Sequence, residues 1–93
     1  MALPVITTAQ NTVKIENLSA EAFSDLQAQI SKQVGKPISG FNGTVAENGY
    51  EVAWTYFSAI NQAILTFSKR PIFVTMGLVT HAITEFVTSA ELP

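Results

Sequence analysis

"GTVAENGYEVAWTYFSAINQAILTFSKRP", residues 43–71, decides the fold. Asn48-Gly49 lies between Glu47 and Tyr50, and Asn-Gly is the preferred pair for a two-residue type I′ hairpin turn. Both central positions of that turn need φ > 0, which Gly and Asn tolerate best. The turn sets Glu47 opposite Tyr50, Val45 opposite Val52, Gly43 opposite Trp54 and Phe41 opposite Tyr56. Ser58-Ala59-Ile60-Asn61 reads as a second hairpin loop. It sets Tyr56 opposite Ala63, Trp54 opposite Leu65 and Val52 opposite Phe67. The two registers are read independently, yet they agree on one apolar face. A slip of one residue would turn that whole set outward, so the pattern specifies the register. This face is core.

The opposite face is small and polar, as suits the wet side of an antiparallel sheet. It carries Ala53, Thr55, Thr66 and Glu51, with Phe57 and Ile64 as two apolar exceptions near the Ser58–Asn61 loop. Phe57 and Ile64, with their small neighbours Ala53 and Thr55, are the candidate contact surface for a protein partner or for self-association.

Ninety-three residues make one α+β domain, with 1–11 either an N-terminal arm or an added strand, since Val5 and Ile6 lie between Pro4 and two threonines. Hydrophobic residues are 47% and charged residues 13% of the chain, against about 25% charged in ordinary domains. So little charge, with so much Thr, Ser and Ala, points to a chain that lives in an assembly or outside the cytoplasm. A net charge of −2 argues against a partner held by phosphate electrostatics, so nucleic acid is disfavoured. The absence of cysteine removes disulfides, thiolate chemistry and cysteine-ligated zinc. "MALPVITTAQ" lacks the basic start and apolar run of a signal peptide. No segment approaches about 20 uninterrupted apolar residues. The expectation is a cytoplasmic protein without a membrane span, in the host cytoplasm or virion if the source is viral.

Along the chain, Val13 and Ile15 alternate with Lys14 and Glu16 in a short half-buried strand. Ser19 caps a helix over 20–34, whose stripe is Phe23, Leu26, Ile30 and Val34. Gly35 stops it in the left-handed conformation, before Lys36-Pro37. Pro71 ends the third strand of the meander. Thr75 caps a second helix over 76–89, with Met76, Val79, Ile83, Phe86 and Val87 on one side and His81, Thr84 and Glu85 on the other. The order is β-α-β-β-β-α. A two-layer sandwich follows, an antiparallel three-strand meander plus a short N-terminal strand, with both helices on the aromatic face. From residue 20 onward this order resembles, in outline, that of double-stranded-RNA-binding domains. The last helix opens "TMGLVTHAI" without the lysines such domains use there, so the resemblance ends at topology.

Chemistry is hard to find. His81 has Glu85 one turn away, which makes a solvated pair on a helix surface. The carboxylates are scattered, and no nucleophile motif, phosphate loop or zinc spacing occurs. No cofactor is expected and no catalytic residue is assigned. Lys69-Arg70 is the one basic doublet, placed where an anion would sit between it and the second helix N-terminus. Trp54, Tyr56 and Phe67 could stack bases, but they occupy the face the helices must cover. The expected function is a non-enzymatic protein–protein interaction or assembly module. Its forms would be a homo-oligomer subunit or a viral or mobile-element accessory or inhibitor protein. The alternative is a weak nucleic-acid or anion binder using Lys69 and Arg70.

Overall fold

In the computed structural model, residues 4–91 are described, with side chains placed through Ser89. The Asn48-Gly49 turn takes the geometry its chemistry favours, with φ of 52° at Asn48 and 86° at Gly49. It joins β3 (Asn42–Glu47) to β4 (Tyr50–Phe57) with Gly43 opposite Trp54 and Val45 opposite Val52. The Ser58–Asn61 loop joins β4 to β5 (Gln62–Lys69) with Trp54 opposite Leu65 and Tyr56 opposite Ala63. Both expected registers hold. The ladder continues past β3, where the Tyr56 amide donates to the Phe41 carbonyl at 2.6 Å.

The N-terminal segment resolves into a strand. β1 (Val5–Ala9) and β2 (Thr12–Glu16) form an antiparallel hairpin around Gln10, whose φ is 53°. Met1 to Leu3 lie outside the described residues. β2 then pairs antiparallel with β5, Val13 opposite Leu65 and Ile15 opposite Ala63. The sheet therefore has five strands in the order β1-β2-β5-β4-β3, and the chain runs β-β-α-β-β-β-α. The expected three-strand meander is present, widened by a hairpin that local pattern did not reveal.

α1 (Ala20–Val34) starts where the Ser19 hydroxyl accepts from the Ala22 amide at 3.1 Å. It stops at Gly35, φ 79°, whose amide donates to the Ser31 carbonyl. Asn48 reaches across from the β3–β4 turn, and its Nδ2 donates to the Val34 carbonyl at 2.6 Å. One residue thus both shapes a hairpin turn and satisfies a carbonyl left open at a helix end. α2 (Met76–Glu91) begins at Thr75, whose hydroxyl accepts from the Leu78 amide at 3.2 Å.

Both helices cover the Trp54 face, burying Phe23, Leu26, Ile30, Ile83 and Val87 against Val13, Ile15, Val52, Leu65 and Phe67. The Tyr56 ring stacks on Phe23 with centroids 4.7 Å apart. Its hydroxyl donates to the buried Leu18 carbonyl at 2.6 Å, and Asn61 Oδ1 lies 3.1 Å away. The Trp54 indole N–H donates to the Gly40 carbonyl at 3.1 Å, and Gln27 Nε2 donates to the same oxygen at 2.8 Å. Gly43 makes room for the indole, since a Cβ there would stand 2.7 Å from Trp54 Cζ2.

Gly43→Ala should therefore cost about 1–3 kcal/mol, the usual effect of overpacking a filled site. Leu65→Ala or Ile83→Ala should cost about 2–5 kcal/mol through loss of buried apolar contact. His81→Ala, at an exposed position, should cost well under about 1 kcal/mol. Urea unfolding of the four variants checks the order. A near-neutral Gly43→Ala would show that the indole does not lie over that residue.

Candidate functional site

The period-two alternation of β4 sends Ala53, Thr55 and Phe57 away from the helices, and that of β5 sends Ile64 the same way. All four expected partner-binding residues share one face. Thr55 is directly opposite Ile64, and Phe57, opposite Gln62, is their diagonal neighbour. Phe57 is 43% exposed, whereas Ile64 is half-buried. The reason for the difference is the added pairing. Ile64 lies between Lys14 on β2 and Thr55 on β4, inside a five-stranded sheet rather than at the edge of a meander.

The N-terminal hairpin extends this face by two strands. One row across the sheet reads Thr7, Lys14, Ile64, Thr55, Asn42. The next reads Ala9, Thr12, Thr66, Ala53, Thr44. Thr12 and Thr66 hydroxyls approach to 3.4 Å across their pair. Lys14 is the only charged side chain in the two rows, and its Nζ is 3.2 Å from Glu16 Oε1. Thr7, Ala9, Thr12 and Lys14 were not assigned to this face from sequence. The available signal was the β-branched run Val5-Ile6-Thr7-Thr8, which suits a strand. What it lacked was a recognisable turn behind it.

The basic doublet separates into two roles. Lys69 is exposed at the end of β5, opposite Glu51. Arg70 is half-buried and bonded within the protein. Its Nη1 donates to the Val74 carbonyl at 3.0 Å and its Nη2 to Asn11 Oδ1 at 3.3 Å. The guanidinium thereby ties the β1–β2 turn to the loop before α2. The N-terminus of α2 is itself capped by Thr75, so the amides an anion would need are partly engaged.

His81 Nε2 lies 3.1 Å from Glu85 Oε1, with both side chains more than 70% exposed. Among the described residues, no three or more His, Cys, Asp or Glu side chains stand close enough together to hold a metal ion. Among the same residues, no helix is long and apolar enough to cross a membrane. The chain matches no family model, no curated protein and no solved structure.

Arg70→Ala should lower stability by about 1–2 kcal/mol, because it leaves a carbonyl and an amide oxygen without their donor. Lys69→Ala, at an exposed strand end, should change it by less than about 0.5 kcal/mol. Denaturant midpoints of the two variants distinguish them. Equal effects would mean that the Arg70 bonds contribute nothing to the fold.

Proposed function

We propose that this protein is a non-enzymatic interaction or assembly module that works through the helix-free face of its sheet. The observation that carries the reading is the make-up of that face. The wet face of an antiparallel sheet is polar, and charged residues are the ones depleted where such a surface becomes the core of an interface. Here the two central rows are threonines, alanines and Asn42 around Ile64, with one charge already paired.

Five strands spaced about 4.8 Å apart span roughly 20 Å, wide enough for a helix or a second sheet to lie across. Short side chains at Ala53, Thr55 and Thr66 leave a shallow surface that a partner backbone can approach. Phe57 and Ile64 supply apolar anchors, and Glu51 and Gln62 a polar rim, the arrangement typical of a specific interface. The partner is a protein, either another copy or a target of an accessory protein. Anion binding at Lys69 and Arg70 has less support, because Arg70 already donates to Val74 and Asn11.

Ile64→Lys should abolish association while leaving the monomer folded, since Ile64 lies outside the helix-covered core. Phe57→Ser, at the exposed end of the same face, should weaken it. The check is thermal melting together with sedimentation and capture of binding proteins on the same variants. Unchanged association would remove this face from consideration. A large loss of melting temperature in a monomeric Ile64→Lys variant would show that Ile64 serves the fold.

A further inference from the structure

β2 has a strand on each side, and its main-chain hydrogen bonds alternate between them. The Phe67 amide donates to the Asn11 carbonyl at 2.8 Å, so Asn11, Val13 and Ile15 bond to β5. The residues between them bond to β1: Thr12 to Ala9, Lys14 to Thr7 and Glu16 to Val5. Val5, Thr7 and Ala9 thus turn their main-chain groups inward. Ile6 and Thr8 turn theirs outward, each with one N–H and one C=O along the free side of the sheet. Among the described residues, no hydrogen bond reaches those main-chain groups.

Natural sheets block an edge that they leave exposed, with a charge, a proline or a cover. The β3 edge carries Glu47, which pairs with Lys36 at 3.9 Å. β1 reads Val5-Ile6-Thr7-Thr8-Ala9, without charge or proline. Its position is fixed, because Thr80 of α2 holds the Thr8 hydroxyl at 2.8 Å and Arg70 holds Asn11 in the turn.

We propose that a second copy of this chain pairs with this edge, β1 against β1, antiparallel about a two-fold axis at Thr7. Donors and acceptors in this alternation are met by an extended strand. An edge open to strands in general is open to its own strand, which is present wherever the protein is. The register is self-complementary and specific. With Thr7 opposite the partner's Thr7, Ile6 lies opposite the partner's Thr8, and every outward donor and acceptor of both strands is met. A shift of one residue would set Ile6 against the partner's Ala9, whose main chain already bonds to β2. A shift of two would set Thr8 against Pro4, which has no N–H, or Ile6 against Gln10, whose φ of 53° is not extended.

Side chains agree with this pairing. Thr7 meets Thr7 and Val5 meets Ala9, uncharged pairs that suit facing strands. Thr80, which reaches β1, recurs one turn apart with Thr84 and Thr88, so that flank of α2 is short and uncharged where the partner's helix would pass. An isologous contact of this kind closes on itself as a dimer. It uses main chain at the sheet's edge, and so is separate from the Ile64 surface proposed above.

A five-residue strand is about 17 Å long, a small contact, so the dimer should form and dissociate with concentration. Sedimentation should show the mass rising toward twice the 10.0 kDa chain mass. Exchange of the Ile6 and Thr8 amides should slow over the same range. The chain has no cysteine, so Thr7→Cys places a single thiol at the axis. Facing Cα atoms of such a pair stand about 4.5 Å apart, and mild oxidation should link them. Thr44→Cys, exposed on the opposite edge strand, should link far more slowly. Thr7→Glu lies opposite Lys14 within the chain, which keeps the monomer folded, but sets two carboxylates together at the axis. It should weaken the dimer at least tenfold, whereas Ile64→Lys should leave it intact. A monomer at every concentration, Ile6 and Thr8 amides that stay unprotected in a dimer, or a dimer that survives Thr7→Glu would overturn the proposal. So would cross-linking at Thr7 no faster than at Thr44, or a dimer broken by Ile64→Lys alone, which would assign self-association to the sheet face.

Discussion

The alternation of β4 and β5 is the constraint on which the rest of the structure depends. Val52, Trp54 and Tyr56 face Phe67, Leu65 and Ala63 in one register, and a slip of one residue would put all six in water. Once that face is apolar, both helices must lie on it, because neither has another surface large enough to bury its stripe. The polar ends of the aromatic residues then fix the loops. The Trp54 N–H and Gln27 converge on the Gly40 carbonyl, which pins the α1–β3 connection between helix and sheet. The Tyr56 hydroxyl binds the Leu18 carbonyl, which pins the start of α1. The Trp54 N–H and the Tyr56 hydroxyl each donate to backbone of a connection, so burying the ring also places the loop.

Legibility in the sequence follows the range of the interaction. The β3–β4–β5 meander was readable because Asn48-Gly49 and a four-residue loop each constrain partners only a few residues apart. Helix starts at Ser19 and Thr75 and the stop at Gly35 were readable for the same reason. The β1–β2 hairpin was not. Gln10 holds φ 53° without belonging to the residue types that favour it, so no local preference announces the turn. The β2–β5 pairing joins Val13 to Leu65, and nothing in either strand names the other. Arg70 shows the limit most clearly. It reads as a free basic residue, yet it binds Asn11, 59 positions away.

The candidate site divides along the same line. Ala53, Thr55, Phe57 and Ile64 were placed on one face by period two alone, and they stand together there. The residues that complete the face, Thr7, Ala9, Thr12 and Lys14, arrive with the N-terminal hairpin. Their arrival changes the physical character of Ile64. At the edge of a meander it would be a protruding apolar side chain, whereas between Lys14 and Thr55 it is half-buried and held at the centre of a broad surface. A central, partly enclosed apolar residue is the position from which an interface draws most of its energy.

The same hairpin leaves an edge to be managed. β1 is the outer strand, and Val5–Ala9 carries no charge and no proline to discourage another strand from pairing with it. Part of the answer lies in α2, where the Thr80 hydroxyl meets the Thr8 hydroxyl at 2.8 Å and fastens the edge to the helical layer. α2 thus serves the edge strand through Thr80 and the core through Ile83 and Val87. Its remaining surface, with Leu78 and Ala82, is free for a different use.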